Sequence, residues 1–250
     1  MTCRDRRPRG RFRVDAGFLK VREMVDRDDS RLAGLIDHTI LKSSAGEADV
    51  EKICSEAMRY GFAAVVVPPS FVRMAVDIVG RGGPAVCSVA GFPFGWEPLG
   101  DKLQQVETLL SSGVSEIDVV MNVGAFLSGR RNVVENETKA LSDMLSGNAL
   151  FKLIIETAYL DEDAIRQAAL LGAAAGADFI KTSTGFAPRG ATPDDIRIIA
   201  SVVGKEAGIK AAGGIRTRGQ AEELIAAGAT RLGCSASVAI IIEDKGGGGA

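Results

Sequence analysis

Three charged residues stand inside otherwise apolar runs, and their types suit carbonyl chemistry. Lys181 ends the run of "GADFIKTSTGF", Lys210 lies in "GIKAAGGIRT", and Asp118 lies in "EIDVVMN". Burying a charge in a strand is costly unless the group is paired or used. A buried lysine has a depressed pKa, so its amine can be neutral and nucleophilic near neutrality. A second lysine at similar depth on the adjacent strand, about 5 Å away, lowers it further. Such an amine forms an imine with an aldehyde or ketone, and an acid in mid-strand can pair with a lysine and relay protons. Each group also has a plainer reading: Lys181 reaching out to solvent, Lys210 exposed at a strand end, Asp118 in a structural ion pair. Taken together the three favour Lys181 as a Schiff-base nucleophile.

A second set could hold an anion. Glycines let backbone N–H groups approach a phosphate closely, and a helix N-terminus adds partial positive charge. Gly213 and Gly214 in "AAGGIRT", Gly233 and Ser235 in "RLGCSAS", and Gly185 after the sixth predicted strand fit that arrangement, with Thr184 placed in the same set. Arg216 either balances the phosphate or sits on the surface. Asp37, expected near the barrel mouth, is a candidate for a substrate hydroxyl. His38, the single histidine, reads as a satisfied structural residue. Trp96 and the prolines of "GFPFGWEP" shape the loop after the third strand. Glu156 and Lys152 are charged positions on the fifth strand, and Lys152 is expected at the entry end, away from the site, as a structural residue.

Positioning these residues falls to an alternation of strands and helices. Strands are predicted at 35–41, 63–67, 85–90, 116–122, 151–156, 178–182, 208–212 and 230–233, several of them nearly continuous Val, Ile and Ala, as strands covered on both faces are. Helical patterns fill 49–60, 102–112, 132–145, 161–175, 193–203 and 219–227. Thr192 before Pro193 is an N-cap followed by proline at the first helical position. Gly61, Gly113, Gly176 and Gly228 follow helices, where a left-handed cap favours glycine. Eight such units imply one α/β domain, a single (β/α)8 TIM barrel, with functional residues at the C-terminal ends of its strands. No GxGxxG follows an early strand, which disfavours an open nucleotide-binding sheet.

Composition narrows the partners. The 250 residues carry a formal charge of −2, which argues against nucleic acid as a partner, and no apolar run is long enough for a membrane span. One histidine makes a catalytic zinc site improbable, and neither metal nor organic cofactor is expected. Cys3, Cys54, Cys87 and Cys234 form no CxxC pair, which points to reduced thiols and a cytoplasmic location. Residues 1–30, crowded with arginine, are expected to be a basic disordered arm, with Met24 an alternative start; 31–243 the barrel; and 244–250 a flexible tail.

The phrases "LIDHTILK", "VCSVAGFPFG", "EIDVVMNVGA", "KLIIET", "GADFIKTSTGF", "IKAAGGIRT" and "RLGCSAS" run in order from about Leu35 to Ile240. In them the chain resembles the deoxyribose-phosphate aldolase family of class I aldolases. The resemblance implies that 2-deoxy-D-ribose 5-phosphate is split reversibly into D-glyceraldehyde 3-phosphate and acetaldehyde. It implies an imine on Lys181, Lys210 tuning it, Asp118 in proton transfer, and phosphate held by Gly185, Gly213, Gly214, Gly233 and Ser235. It also implies a homo-oligomer, a dimer or higher. The chain departs from many members at Ala212 and Ala236, where serine is common, and from some at Phe186, where lysine occurs; no catalytic tyrosine tail is present. Other readings are a class I aldolase for a different phosphorylated sugar, a sugar-phosphate isomerase, and a non-catalytic phosphate-binding barrel.

Overall fold

A computed structural model describes residues 27–242. Eight parallel strands close into a barrel in chain order: β1 (Ile36–Thr39), β2 (Ala64–Val66), β3 (Ala85–Ala90), β4 (Glu116–Val120), β5 (Leu150–Ile154), β6 (Phe179–Lys181), β7 (Gly208–Ala212) and β8 (Arg231–Cys234). Around them run α1 (Arg27–Ala33), α2 (Glu47–Tyr60), α3 (Val72–Val79), α4 (Leu99–Ser112), α5 (Val123–Leu127), α6 (Arg131–Leu145), α7 (Glu162–Ala174), α8 (Pro193–Val203), α9 (Arg218–Ala226) and α10 (Ser237–Ile242). The (β/α)8 barrel expected from the alternation is the observed fold.

Alternation along each strand sends one set of side chains outward and the other into the barrel. Outward residues such as Val65, Ile117, Leu153, Ile180 and Leu232 join Ile53, Val106, Leu141, Ile165 and Ile199 of the helices in one continuous buried cluster. Each such side chain contributes about 1.5–3 kcal/mol on burial, so this annulus holds the molecule together. The barrel interior is divided. Toward β2 and β3 it is apolar, with Ala64, Val66, Cys87 and Val89. Toward β4 to β8 and β1 it is ionic, with Asp37, Glu116, Asp118, Lys152, Lys181 and Lys210 all buried.

Predicted boundaries fall close to the observed ones. Thr192 caps α8 through its side chain and closes a capping box with Asp195. Gly61, Gly113, Gly176 and Gly228 all have positive φ. Three predicted strands, at 35–41, 116–122 and 151–156, run two residues past the ladder at their C-terminal ends. Those extra residues are the first of the loops that build the mouth. Four helices lie outside the patterns singled out from sequence: α1, α3, α5, which Asn122 caps by accepting from the Ala125 N–H, and the six-residue α10.

The expected arm over 1–30 overlaps α1, which begins at Arg27. Tertiary contact explains the difference: Leu32 and Ala33 are buried, α1 packs on α10, and Asp29 meets Arg218 of α9 at 2.6 Å. The rest of the arm, with Cys3 and Met24, and the tail over 244–250 lie outside the described residues. No described helix is long and apolar enough to cross a membrane.

Candidate active site

Strand register brings the ionic side chains to one centre. Lys181 of β6 and Lys210 of β7 are direct neighbours across the ladder. Both reach Oδ2 of Asp118, each nitrogen at 2.7 Å. The other oxygen of the same carboxylate accepts from Lys152 Nζ at 2.9 Å. A single buried acid therefore meets three amines. The Cys87 thiol also donates to Asp118 Oδ1, at 3.3 Å.

Below this carboxylate the network continues. Asp37 sits 2.5 Å from Lys210 Nζ through Oδ2, a close ion pair rather than a well-aligned hydrogen bond, and accepts from Arg231 through Oδ1 at 2.6 Å. Glu116 lies 2.6 Å from Lys152 and 3.4 Å from Arg231. Two expectations need correction here. Lys152 is not away from the site: pairing with Asp118 in register turns its side chain inward, onto that carboxylate. Asp37 is not at the mouth: it is wholly buried and both oxygens are engaged by cations, so it holds Lys210 and Arg231 instead of facing a substrate hydroxyl.

Electrostatics single out one amine. Burial pushes every charged group in the network toward neutrality. For Lys152 the surrounding acids outweigh burial, and its pKa lies well above the ordinary lysine value. For Lys210, Asp118 and Asp37 likewise outweigh burial and raise it. For Lys181 burial wins: Asp118 opposes it, the Lys210 ammonium assists it, and the pKa is lowered. Asp118 is held well below the carboxylate range because Lys152, Lys181 and Lys210 overcome its burial. Formal charge says the same. Asp37, Glu116 and Asp118 balance Lys152, Lys210 and Arg231, and Lys181 is the surplus amine. The arrangement buries a primary amine of lowered pKa beside a carboxylate, which favours the neutral form that imine formation requires.

The expected anion-binding residues gather where the loops after β6, β7 and β8 meet. Gly185, Gly213 and Gly214 all have positive φ. A Cβ at Gly185 or Gly214 would meet open space, so the backbone there is approachable. Gly190 and Gly213 touch so closely that a Cβ on Gly190 would lie 1.9 Å from the Gly213 carbonyl oxygen. Gly233 packs over Lys210, and Ser235 is exposed beside Phe186, which meets the edge of Phe92 at 5.5 Å. Arg216 is exposed. Trp96 is two-thirds exposed, stacked on Phe94 at the rim.

Thr184 is placed differently from expectation. Its hydroxyl donates to Glu156 Oε2 at 2.5 Å, its N–H points to the same carboxylate at 3.1 Å, and the hydroxyl accepts from the Phe186 N–H. Both of its donors are used within the protein, so Thr184 braces the loop. Glu156 is the residue that sequence reasoning noted without giving it a role. It is buried, and it is the one non-glycine with positive φ among the described residues, at 53°. Strained backbone of this kind clusters at functional sites. Burial raises its pKa. Its signal was present: an acid closing a buried strand two residues after Ile154, the ladder partner of Lys181. Among the described residues no cluster of three or more His, Cys, Asp or Glu is placed to hold a metal ion.

Known proteins align with this geometry. The profile of the DeoC/LacD family aldolases matches residues 31–235. The deoxyribose-phosphate aldolase of Bacillus cytotoxicus is 43% identical over 216 residues, 86% of this chain and 97% of that protein. The enzyme of the same name from Geobacillus sp. is 42% identical over 213 residues, 85% of this chain and 96% of that protein. Among solved structures, the tetrameric deoxyribose phosphate aldolase of Aeropyrum pernix superposes with a TM-score of 0.80 at 33% identity, covering 91% of this chain and 97% of that one.

Proposed function

The chain belongs to the DeoC/LacD family of aldolases, and from that premise we propose that it cleaves 2-deoxy-D-ribose 5-phosphate through an imine on Lys181. The observation that carries the residue assignment is the shared carboxylate: Lys181 and Lys210 both rest on Asp118 Oδ2, and of the two only Lys181 has its pKa lowered, by burial.

Neutral Lys181 adds to the C1 aldehyde of the open-chain sugar, and the carbinolamine loses water to give an iminium. This cation is the electron sink for the reaction. A base removes the C3 hydroxyl proton, by way of Asp118, Lys210 and a water. The C3–O electrons form the carbonyl of glyceraldehyde 3-phosphate, the C2–C3 bond breaks, and its pair enters the iminium to give an enamine. Protonation at C2 restores the iminium, and water releases acetaldehyde and the free amine. Every step is acid–base or covalent chemistry of side chains, with neither a metal nor an organic cofactor in the scheme. The phosphate end of the sugar takes the glycine-lined junction of Gly185, Gly213, Gly214, Gly233 and Ser235, where open backbone supplies the donors. The tetrameric relative supports a homo-oligomer. The three cysteines among the described residues are free and buried, which suits a reducing cytoplasm.

Borohydride reduction in the presence of acetaldehyde tests the assignment directly. We expect an ethyl adduct on Lys181 by peptide mapping, and none in Lys181→Ala. An adduct on Lys210 or Lys152 alone would move the nucleophile. No adduct on folded protein would remove the imine chemistry altogether.

A further inference from the structure

His38 takes no part in the chemistry above, yet it occupies a junction beside the anion-binding loop. It lies on β1 in register with Cys234 of β8. Its Nδ1 is 3.0 Å from Ser237 Oγ and its Nε2 is 2.9 Å from Glu56 Oε2 of α2. Ser237 Oγ in turn lies 2.9 Å from the carbonyl oxygen of Cys234, to which it donates. That last bond spans Ser235 and Ala236, the turn that opens α10.

Counting hydrogens limits how these contacts coexist. The Ser237 hydroxyl has one proton. If it goes to the Cys234 carbonyl, Nδ1 must donate to Ser237 Oγ. Nε2 faces a carboxylate, which accepts only, so it must carry a proton as well. All three contacts are made at once only by the imidazolium. A neutral ring keeps Nε2–H on Glu56 and accepts from Ser237 at Nδ1, and the Cys234 carbonyl is released.

We propose that His38, Glu56 and Ser237 form a protonation-dependent strut that sets the turn after β8 and, through Ser235, the affinity for the phosphate end of the substrate. The inference rests on the reading that this turn holds the phosphate. His38 is a positioning residue here: it is 4% exposed and touches no expected substrate atom. The groups that face it are Glu56 and, behind it, Lys52 at 3.9 Å from the Glu56 carboxylate, both on α2, together with the Phe62 ring at 5.0 Å and Ser237 and the Cys234 carbonyl on the β8 side. Burial lowers the His38 pKa below the ordinary value of 6.5, and Glu56 works against that shift. A cavity of about 640 Å³ lined by His38, Glu56, Lys52, Phe186 and Ser235 gives protons a route to the ring.

The test compares KM and kcat for 2-deoxyribose 5-phosphate and for unphosphorylated 2-deoxyribose across the acid range. In the wild type, KM for the phosphorylated sugar should rise, by up to about tenfold for one hydrogen bond, as pH climbs through the His38 titration. Values for the unphosphorylated sugar and kcat for both should not follow. Ser237→Ala removes the tie, so its KM should be high throughout. His38→Asn offers a permanent donor at the Nδ1 position, so its KM should be low throughout. The substrate phosphate also titrates near pH 6, but that change is common to all three proteins. The same step in all three, or equal losses on both sugars, would overturn the strut. A wild type indifferent to the phosphate would instead overturn the phosphate reading, before any variant is considered. Should the buried substitutions fail to fold, Glu56→Gln at its quarter-exposed position keeps the test open: the amide can donate to Nε2, so the neutral ring makes all three contacts and the step in KM should vanish, and an unmoved step would count against the proposal.

Discussion

Replacing Lys210 by methionine removes one charge from the centre at nearly constant shape, and the consequence can be worked from the geometry. Lys181 and Lys210 each lie 2.7 Å from the same oxygen of Asp118. Their nitrogens are therefore no further apart than twice 2.7 Å, about 5.4 Å. At that separation and an effective dielectric of about 20, two positive charges repel by about 3 kcal/mol, equivalent to about two pH units. The Lys210 ammonium thus helps lower the Lys181 pKa, behind burial in importance. Without it the three acids face only Lys152 and Arg231, and Lys181 is drawn to keep its proton. In the proposed scheme the nucleophile is the neutral amine, so kcat/KM should rise with pH through the Lys181 titration. In Lys210→Met this acid limb should move up by about two pH units, whatever happens to the height of the plateau. The assay is the pH dependence of glyceraldehyde 3-phosphate release, backed by the yield of borohydride-trapped imine at each pH. A limb left in place, or moved down, would refute the claim that the two amines are coupled through Asp118.

The opposite shift is expected of Asp118→Asn. Asp118 is the group that opposes burial at Lys181, so its neutralisation moves the acid limb down while kcat falls about 10²–10⁴-fold with the lost proton transfer. The same variant leaves Lys152 mainly to Glu116 and Lys210 to Asp37 alone, and thermal or urea unfolding should show a loss of about 3 kcal/mol; native stability would mean that the three amines do not depend on this carboxylate. At the mouth, Gly190→Ala puts a Cβ 1.9 Å from the Gly213 carbonyl oxygen. The loops after β6 and β7 must part, with an overpacking cost of about 1–3 kcal/mol and a raised KM for the phosphorylated sugar. Unchanged KM and melting temperature would show that the contact is not needed.

Lys181, Lys210 and Asp118 were legible in the sequence because a charge inside an apolar strand is conspicuous whatever the fold. Period-two alternation then tells which side chains enter a barrel. It does not tell what they meet there. Lys152 and Asp37 were misplaced for that reason. Their contacts follow from the stagger between strands on closure, a property of all eight strands together and not of any one stretch of sequence. Thr184 failed differently. A hydroxyl in a loop reads as a ligand donor, and only the convergence of two loops shows its proton already given to Glu156. Helix α1 was hidden because what stabilises it is docking against α10 and α9, while its own seven residues are too few for a periodic signal. The helix caps were legible because Thr192 with Asp195, and the glycines after α2 and α4, act within a few residues.

Burial alone would lower the pKa of Lys181, so the seven ionisable groups of the barrel need a further explanation. Asp118 works against the neutral amine, and a site selected only for nucleophilicity would lack it. The proposed reaction, however, passes through cations. Once Lys181 becomes an iminium, the centre carries one positive charge beyond balance, in a place where charge is poorly solvated. Asp118, 2.7 Å from the nitrogen, limits that cost. When the C2–C3 bond breaks, its electrons neutralise the nitrogen and restore the balance, so the network favours cleavage. At the same moment Asp118 loses one of the three cations that hold its pKa down, and its basicity rises as the hydroxyl proton needs an acceptor. A carboxylate too acidic to serve as a base beside the iminium is thereby made more basic by the step it assists. The acid and the two lysines that flank Lys181 across it act as one titrating unit, in which no single residue has a fixed role throughout the cycle.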